Sequence, residues 1–180
     1  MSMTDSQKTT CPLVEQIDSA VKRVSAIVPG APKEEIRLIR LIHSVAAEMS
    51  ANFDNLLRPH GLNETDFRTL MQLFCSPEGQ AHPSDLSQLA AQSRTNMTRI
   101  VDSLVERGWV SRYASDVDRR RIVLAITQEG QMLVKHLLPQ FHPKLLSLLS
   151  ILSGEEKQTM IAGLQKIAGS LDAGARGGKS

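Results

Sequence analysis

Six hydrogen-bonding side chains crowd seven consecutive positions near the middle of the chain: Ser93, Arg94, Thr95, Asn96, Thr98 and Arg99. Arginine carries a fork of donors that matches guanine O6 and N7, and asparagine offers the donor and acceptor that match adenine. Serine and threonine hydroxyls suit phosphate oxygens, and a helix starting among them adds the positive end of its dipole. Those residue types at that density fit the edge of a nucleic-acid duplex. The neighbourhood agrees in sign. Between Arg94 and Arg121 there are seven arginines (94, 99, 107, 112, 119, 120, 121) against four acids (102, 106, 116, 118), an excess larger than the chain's net charge of +2. Any one of these residues alone is ordinary solvated surface; what surrounds them gives them meaning.

The elements that must hold them are legible from pattern. Behind the polar front, Ile100, Val101, Leu104 and Val105 make a helical stripe, so Ser93 caps an amphipathic helix that stops at "RGW". Ahead of it, "HPSDLSQLAAQ" predicts a short helix starting at Ser84 or Asp85. Beyond it, "WVSRY" and "RIVLAIT" have strand patterns on either side of the charged loop "ASDVDRR". Two short helices, a tight turn and two strands around a basic loop make a winged helix-turn-helix. Its second helix is the usual reader of the major groove.

Helical segments flank this unit. A weak pattern from Leu13 to Val28 stops at "PGAP", and a long helix runs from Lys33 to Leu57. Ile36, Ile39, Ala46, Met49 and Phe53 share one face of the long helix, and Leu38, Leu41 and Val45 another. A helix apolar on two faces needs cover from two sides, and a second subunit can supply one of them. Gly61 suits a C-cap, and Asn63 caps a helix carrying Phe67, Leu70, Met71 and Phe74, with Leu62 as its hydrophobic staple. A leucine-rich helix starts at Thr127 to Gly130, and Pro139 and Pro143 are expected to kink or divide it. Ser153 and Glu156 form a capping box before the last helix, whose Met160, Ile161, Leu164, Ile167 and Leu171 are expected to be buried. The fold class expected is mainly α with a small β wing.

Composition removes other classes. A chain of 180 residues with 41% hydrophobic and 22% charged residues is a normal soluble domain. Aromatics at 3% leave little for base-stacking platforms, which disfavours single-strand binding. Cys11 and Cys75 make no disulfide framework, and His43, His60, His82, His136 and His142 are scattered without metal-ligand spacing, so no metal is expected. No phosphate-binding glycine loop, nucleophile elbow or catalytic carboxylate pair is visible, so neither an enzyme nor a cofactor is expected. No apolar run approaches the roughly 18 residues of a membrane span, and "MSMTDSQKTTCP" lacks a signal-peptide core. The expected location is the cytoplasm.

The phrases "LNETDFRTLMQL", "PSDLSQLAAQSRTNMTRIVDSLVERGWVSR" and "SDVDRRRIVLAITQEG" resemble the MarR family of bacterial transcription regulators, and its EmrR/MprA branch in particular. The resemblance runs from about Glu35 through Gly130. It implies a two-fold homodimer presenting two winged domains to a pseudo-palindromic stretch of double-stranded DNA. It further implies a dimerisation region of residues 13–62 and 128–172 and a DNA-binding domain of 63–127; the polar residues 1–12 and the Gly-rich, basic residues 173–180 are by composition expected to be disordered tails. Asp118 and Arg120 match the family's D-x-R wing pattern. Arg119 and Arg120 are then candidates for the minor groove, where narrow A·T tracts attract arginine, and Asp118 orients an arginine rather than touching DNA.

Such regulators are commonly released from DNA by small aromatic carboxylates or phenols. An anionic ligand needs a cation beside apolar walls, and Arg40, His43, Arg68 and Met71 are the residues placed to provide that. The implied function is a ligand-responsive repressor of efflux, catabolic or stress genes. Two alternatives stand beside it. A redox-switched regulator of the same fold would need an accessible thiol, and Cys75 is expected to be buried near a helix end, with Cys11 in a flexible tail. A winged-helix protein-interaction module would need an apolar second helix, and the exposed face here is Arg, Thr and Asn.

Overall fold

Helices form where the apolar spacing is helical and end where proline or glycine interrupts it. A computed structural model of the chain describes residues 11–90, 92–115 and 121–177. Among them, α1 (Pro12–Ile27) and α2 (Lys33–Leu57) pack on each other across the break at residues 28–32. Ile17 and Val21 of α1 are buried, and Arg37 donates Nε–H and Nη2–H to the Asp18 carboxylate at 2.7 and 3.2 Å. Part of the second cover that α2 demands thus comes from the same chain. Leu38, Ile39 and Val45 remain exposed.

A 3-10 turn at Arg58–His60, ended by Gly61, leads into α3 (Glu64–Cys75). The start of α3 is tied three ways. Asn63 Oδ1 accepts from the Asp66 amide at 2.8 Å, Asp66 Oδ2 accepts from the Asn63 amide at 3.4 Å, and Asp54 Oδ1 of α2 accepts from the Glu64 amide at 2.6 Å. These bonds satisfy amides that a helix start leaves without partners, and they fix α3 to α2.

The middle of the chain contains β1 (Gln80–Ala81), α4 (Pro83–Leu89), α5 (Arg94–Glu106), β2 (Val110–Ala114) and β3 (Ile122–Ile126). The strands form an antiparallel sheet in the order β1-β3-β2, with Gln80 opposite Ala125 and Val110 opposite Ile126. β1 is absent from the sequence reading because two residues are too few to show alternation. The core joins this unit to α3 and to α6 (Gln128–Leu149): Leu70 and Leu73, Leu86, Leu104, Leu124 and Leu137 are each 1% exposed or less. The Phe141 ring of α6 lies 5.5 Å from Phe53 of α2 and 5.1 Å from Phe67 of α3, which carries the core out to the flanking helices.

Four expectations need correction. His82, not Ser84 or Asp85, is the N-cap of α4, because Pro83 at the first position has its φ already set and lacks an amide to be capped; Ser84 Oγ bonds the Asp85 carboxylate instead. Neither Pro139 nor Pro143 divides α6, which is one helix from Gln128 to Leu149. Lys135, Pro139 and Pro143 are spaced four apart and all exposed, so the carbonyls deprived of a donor lie on the side open to water. Cys75 is exposed: two positions beyond buried Leu73, it turns to the far side of α3. The last helix, α7 (Gly154–Gly177), starts at the expected Ser153–Glu156 capping box. Its Met160, Ile161, Leu164, Ile167 and Leu171 are nevertheless exposed in the single chain. Among the described residues no other element covers their row.

Candidate nucleic-acid interface

The geometry of α5 is fixed at both ends. Ser93 Oγ accepts from the Asn96 amide at 3.2 Å, as a capping serine should. At the other end the Trp109 amide donates to Leu104 O at 3.0 Å and the Gly108 amide to Val105 O at 2.9 Å, with Gly108 at φ +73°. This double closure requires a left-handed residue after the helix, hence glycine in "RGW". Met97, Ile100, Val101 and Leu104 are buried. With that stripe on the core, Ser93, Arg94, Thr95, Thr98 and Arg99 are left exposed and Asn96 half-buried.

Each predicted contact residue has a distinct local setting. No side chain within the protomer partners Arg94 among the described residues, so its whole guanidinium is available. Thr98 donates its hydroxyl to Arg94 O at 3.0 Å, which leaves its lone pairs outward. Arg99 donates to Asn96 Oδ1 through Nη2 at 3.1 Å and Nε at 3.4 Å. Asn96 in turn donates from Nδ2 to Gln92 Oε1. Arg112 on β2 pairs with Asp102 on α5 at 2.6 Å, which spends one of the region's cations on joining strand to helix. Beside it, Pro83, Arg94, Met97, Thr98, Val101 and Arg112 line a cavity of about 230 Å3 between α4, α5 and β2.

Arg107, at the C-cap of α5, lies with its guanidinium carbon 5.1 Å from the centre of the Trp109 ring. It also faces the cap of α3. Burial raises the Asp66 carboxyl above its ordinary value of 3.8, against the lowering effect of its hydrogen bonds to Asn63 and of the charges of Arg107 and Arg99. Desolvation wins there because the carboxylate sits within the core edge rather than in water.

The wing is described only at its base. Asp118, Arg119 and Arg120 lie outside the described residues. The Ser115 amide donates to Arg121 O at 2.8 Å, closing the loop, and Arg121 is exposed. His82 Nδ1 lies 2.9 Å from Ile122 O and, because a carbonyl can only accept, carries the proton that joins them. The wing strand is thereby tied to the start of α4. Sequence reasoning missed His82, Gln92 and the Arg112–Asp102 pair. Of these, only Gln92 had a local signal, one helical turn ahead of Asn96.

Of the residues proposed for an effector, Arg40 and His43 are exposed on α2, Arg68 is exposed on α3 and Met71 is half-buried there. A second cavity of about 360 Å3 lies between α2 and α6, lined by Met49, Phe53, Leu56, Lys144, Leu145 and Leu148 among others. None of the four residues lines either cavity. Among the described residues no three His, Cys, Asp or Glu side chains gather as a metal site, and no helix is long and apolar enough to cross a membrane.

Comparison with known proteins agrees with this architecture. The model of the MarR family matches residues 62–122, from Leu62, just before the cap of α3, to the first residue of β3. Transcriptional repressor MprA of Escherichia coli is 38% identical over 141 residues, which cover 78% of this chain and 80% of that protein. A mutant of MarR from E. coli, solved in complex with operator DNA, superposes with a TM-score of 0.68 at 26% identity, covering 74% of this chain and 95% of that one. MepR of S. aureus, solved as a DNA complex, shares the fold with a TM-score of 0.67 at 24% identity, over 73% and 95% of the two chains. The matched family and relatives are regulators of transcription, not enzymes.

Proposed function

The chain belongs to the MarR family and is similar to its EmrR/MprA branch, and from that premise we propose that it is a homodimeric repressor released from its operator by a small aromatic acid or phenol. The observation that carries the DNA reading is α5 itself: its apolar stripe is spent on the core while Arg94, Thr95, Thr98 and Arg99 face outward beside a closed wing base. In this reading Arg94 and Arg99 read base edges, Ser93, Thr95 and Thr98 meet phosphates, and Asn96 contributes to the same face. Arg119 and Arg120, oriented by Asp118, enter the minor groove. Residues 63–127 form the DNA-binding domain.

The exposed row on α7, with Leu146, Leu148, Leu149 and Ile151 before it, supports pairing of two copies through residues 13–62 and 128–172. Two α5 helices about one duplex turn apart then meet two half-sites. A ligand held near Arg40, His43, Arg68 and Met71 releases the DNA only by favouring a spacing of those helices that mismatches the half-sites. The regulated genes are those for efflux, catabolism or stress involving aromatic compounds, and the protein works in the cytoplasm.

The experiment is a titration of the protein against its own upstream DNA, with and without salicylate, hydroxybenzoates and pyridine carboxylates, at several salt concentrations. Specific binding that weakens steeply with salt and is released by one compound is the expected result. Binding that ignores salt would instead fit an apolar protein-interaction surface. A second reading, release by oxidation, is favoured by the exposure of both Cys11 and Cys75. A Cys11→Ser, Cys75→Ser variant that stays on DNA under peroxide while the wild type leaves would select it.

A further inference from the structure

We propose that Asn96 is a positioning residue rather than a base reader, and that a relay from α4 through Gln92 and Asn96 presets the guanidinium of Arg99 for DNA. The inference deepens the DNA-binding reading above and rests on it. The relay is anchored in the core. Ser87 of α4 is 8% exposed; it donates its hydroxyl to Gln92 O at 2.7 Å and accepts the Gln92 amide on its own carbonyl at 3.0 Å. The Gln92 main chain is therefore clamped to α4 and its side chain points along α5.

From there every link has one polarity. Gln92 Nε2 donates to Ala90 O at 3.3 Å, so its Oε1 faces onward and accepts from Asn96 Nδ2. Asn96 Oδ1 then accepts from Arg99 at Nη2 and Nε. A carbonyl that can only accept stands at one end and a guanidinium that can only donate at the other. Neither amide can flip without setting like against like at both of its contacts.

The consequence lies in which edge of Arg99 remains free. Asn96 occupies the Nε–Nη2 side, leaving the terminal Nη1–Nη2 edge for a bidentate contact with guanine O6 and N7 or with a phosphate. Asn96 itself already spends one Nδ2–H on Gln92 and its Oδ1 on Arg99, which reduces the donor and acceptor capacity it could offer adenine. An exposed arginine otherwise loses much rotamer freedom on binding; here part of that loss precedes the encounter. Gln92 carries no charge and is half-buried, so it acts through Arg99 alone.

The test is a double-mutant cycle on an operator bound by the full-length protein, with Gln92→Ala, Asn96→Ala, Arg99→Ala and the two pairs that contain Arg99→Ala. Each of the first two substitutions is expected to weaken specific binding by on the order of tenfold and relax preference at the base read by Arg99. Neither should alter the salt dependence of non-specific binding, and neither should have further effect once Arg99 is Ala. The free protein provides a second readout: the Arg99 Nε–H resonance, displaced from random coil in the wild type, collapses toward it in Gln92→Ala. Should Gln92→Ala fail to fold, Asn96→Ala interrupts the same relay within α5 and keeps both readouts. If Asn96→Ala costs as much without Arg99 as with it, Asn96 reads DNA directly and the relay is overturned while the DNA reading stands. If the wild type shows no specific, salt-dependent duplex binding, the DNA reading falls and takes the relay's role with it.

Discussion

Arg94 and Arg120 carry the same charge but have different tasks in the proposed complex. Arg94 stands at the front of α5 with no side-chain partner among the described residues, so Arg94→Ala is expected to cost about 1–3 kcal/mol of operator affinity and to relax sequence preference at one position. Arg120→Ala is expected to weaken binding nearly uniformly across sequences and to reduce the salt slope by about one. Titrations on operator and scrambled duplex separate the two, and equal losses of discrimination would contradict the assignment. Asp66 supports a different prediction. Its carboxyl is raised in the fold, so the contribution of its protonation to stability is full below the ordinary 3.8 and is lost as pH rises through the folded value. At neutral pH its buried charge works against folding. Asp66→Asn keeps an acceptor for the Asn63 amide and removes that charge. The variant should be at least as stable as wild type at neutral pH, and wild type should gain on it as the pH falls into the carboxylate range. Urea unfolding across that range is the check, and parallel curves would refute it.

Elements in this protein are held in place by their ends. Ser93 supplies the one side-chain cap of α5, so Ser93→Ala is expected to cost about 0.5–2 kcal/mol of stability, read as a lower urea midpoint with an unchanged slope. The junction of sheet and α6 is tighter. Thr127 donates its amide to Trp109 O at 3.0 Å and its hydroxyl to Gly108 O at 2.7 Å, while accepting the Gly130 amide at 3.1 Å. This draws α6 so close that a Cβ on Gly130 would stand 2.3 Å from Trp109 O. Backbone cannot swing aside as a long side chain can. Gly130→Ala should therefore destabilise by about 1–3 kcal/mol even though alanine favours helix, and a stabilised variant in thermal unfolding would refute the close packing.

On the scale of the whole molecule, the described residues leave apolar surface uncovered. Its core is closed around α3 to α6, yet α7 carries an exposed apolar row and α2 an exposed second face. In the proposed dimer that row is the seam, so the wild type is expected to sediment as a dimer and Leu164→Glu, in the middle of the row, as a monomer at the same concentration. Operator affinity should fall by about 100-fold or more, because two linked half-site contacts become two independent ones. A variant that remained dimeric and bound normally would move the interface elsewhere.

The sequence by itself determined the helix-turn-helix with its wing, the capping of α3, α5 and α7, and the polar front of α5, because these depend on spacing and on side chains within a few residues of one another. Ser93, Gly108 and the Ser153–Glu156 box are signals of that local kind. Only the tertiary structure decided what those spacings face. It placed α1 against α2, which periodicity could not assign because an apolar face does not name its cover. It kept α6 one helix through Pro139 and Pro143, because exposure decides whether freed carbonyls matter. It turned Cys75 outward and joined His82 to Ile122, contacts set by packing across 40 positions. It also bound Asn96 between Gln92 and Arg99, so that a residue of the right type to read a base is already engaged by its neighbours. Residue type fixes which hydrogen bonds a side chain can make, and the surrounding fold fixes which of them are already taken.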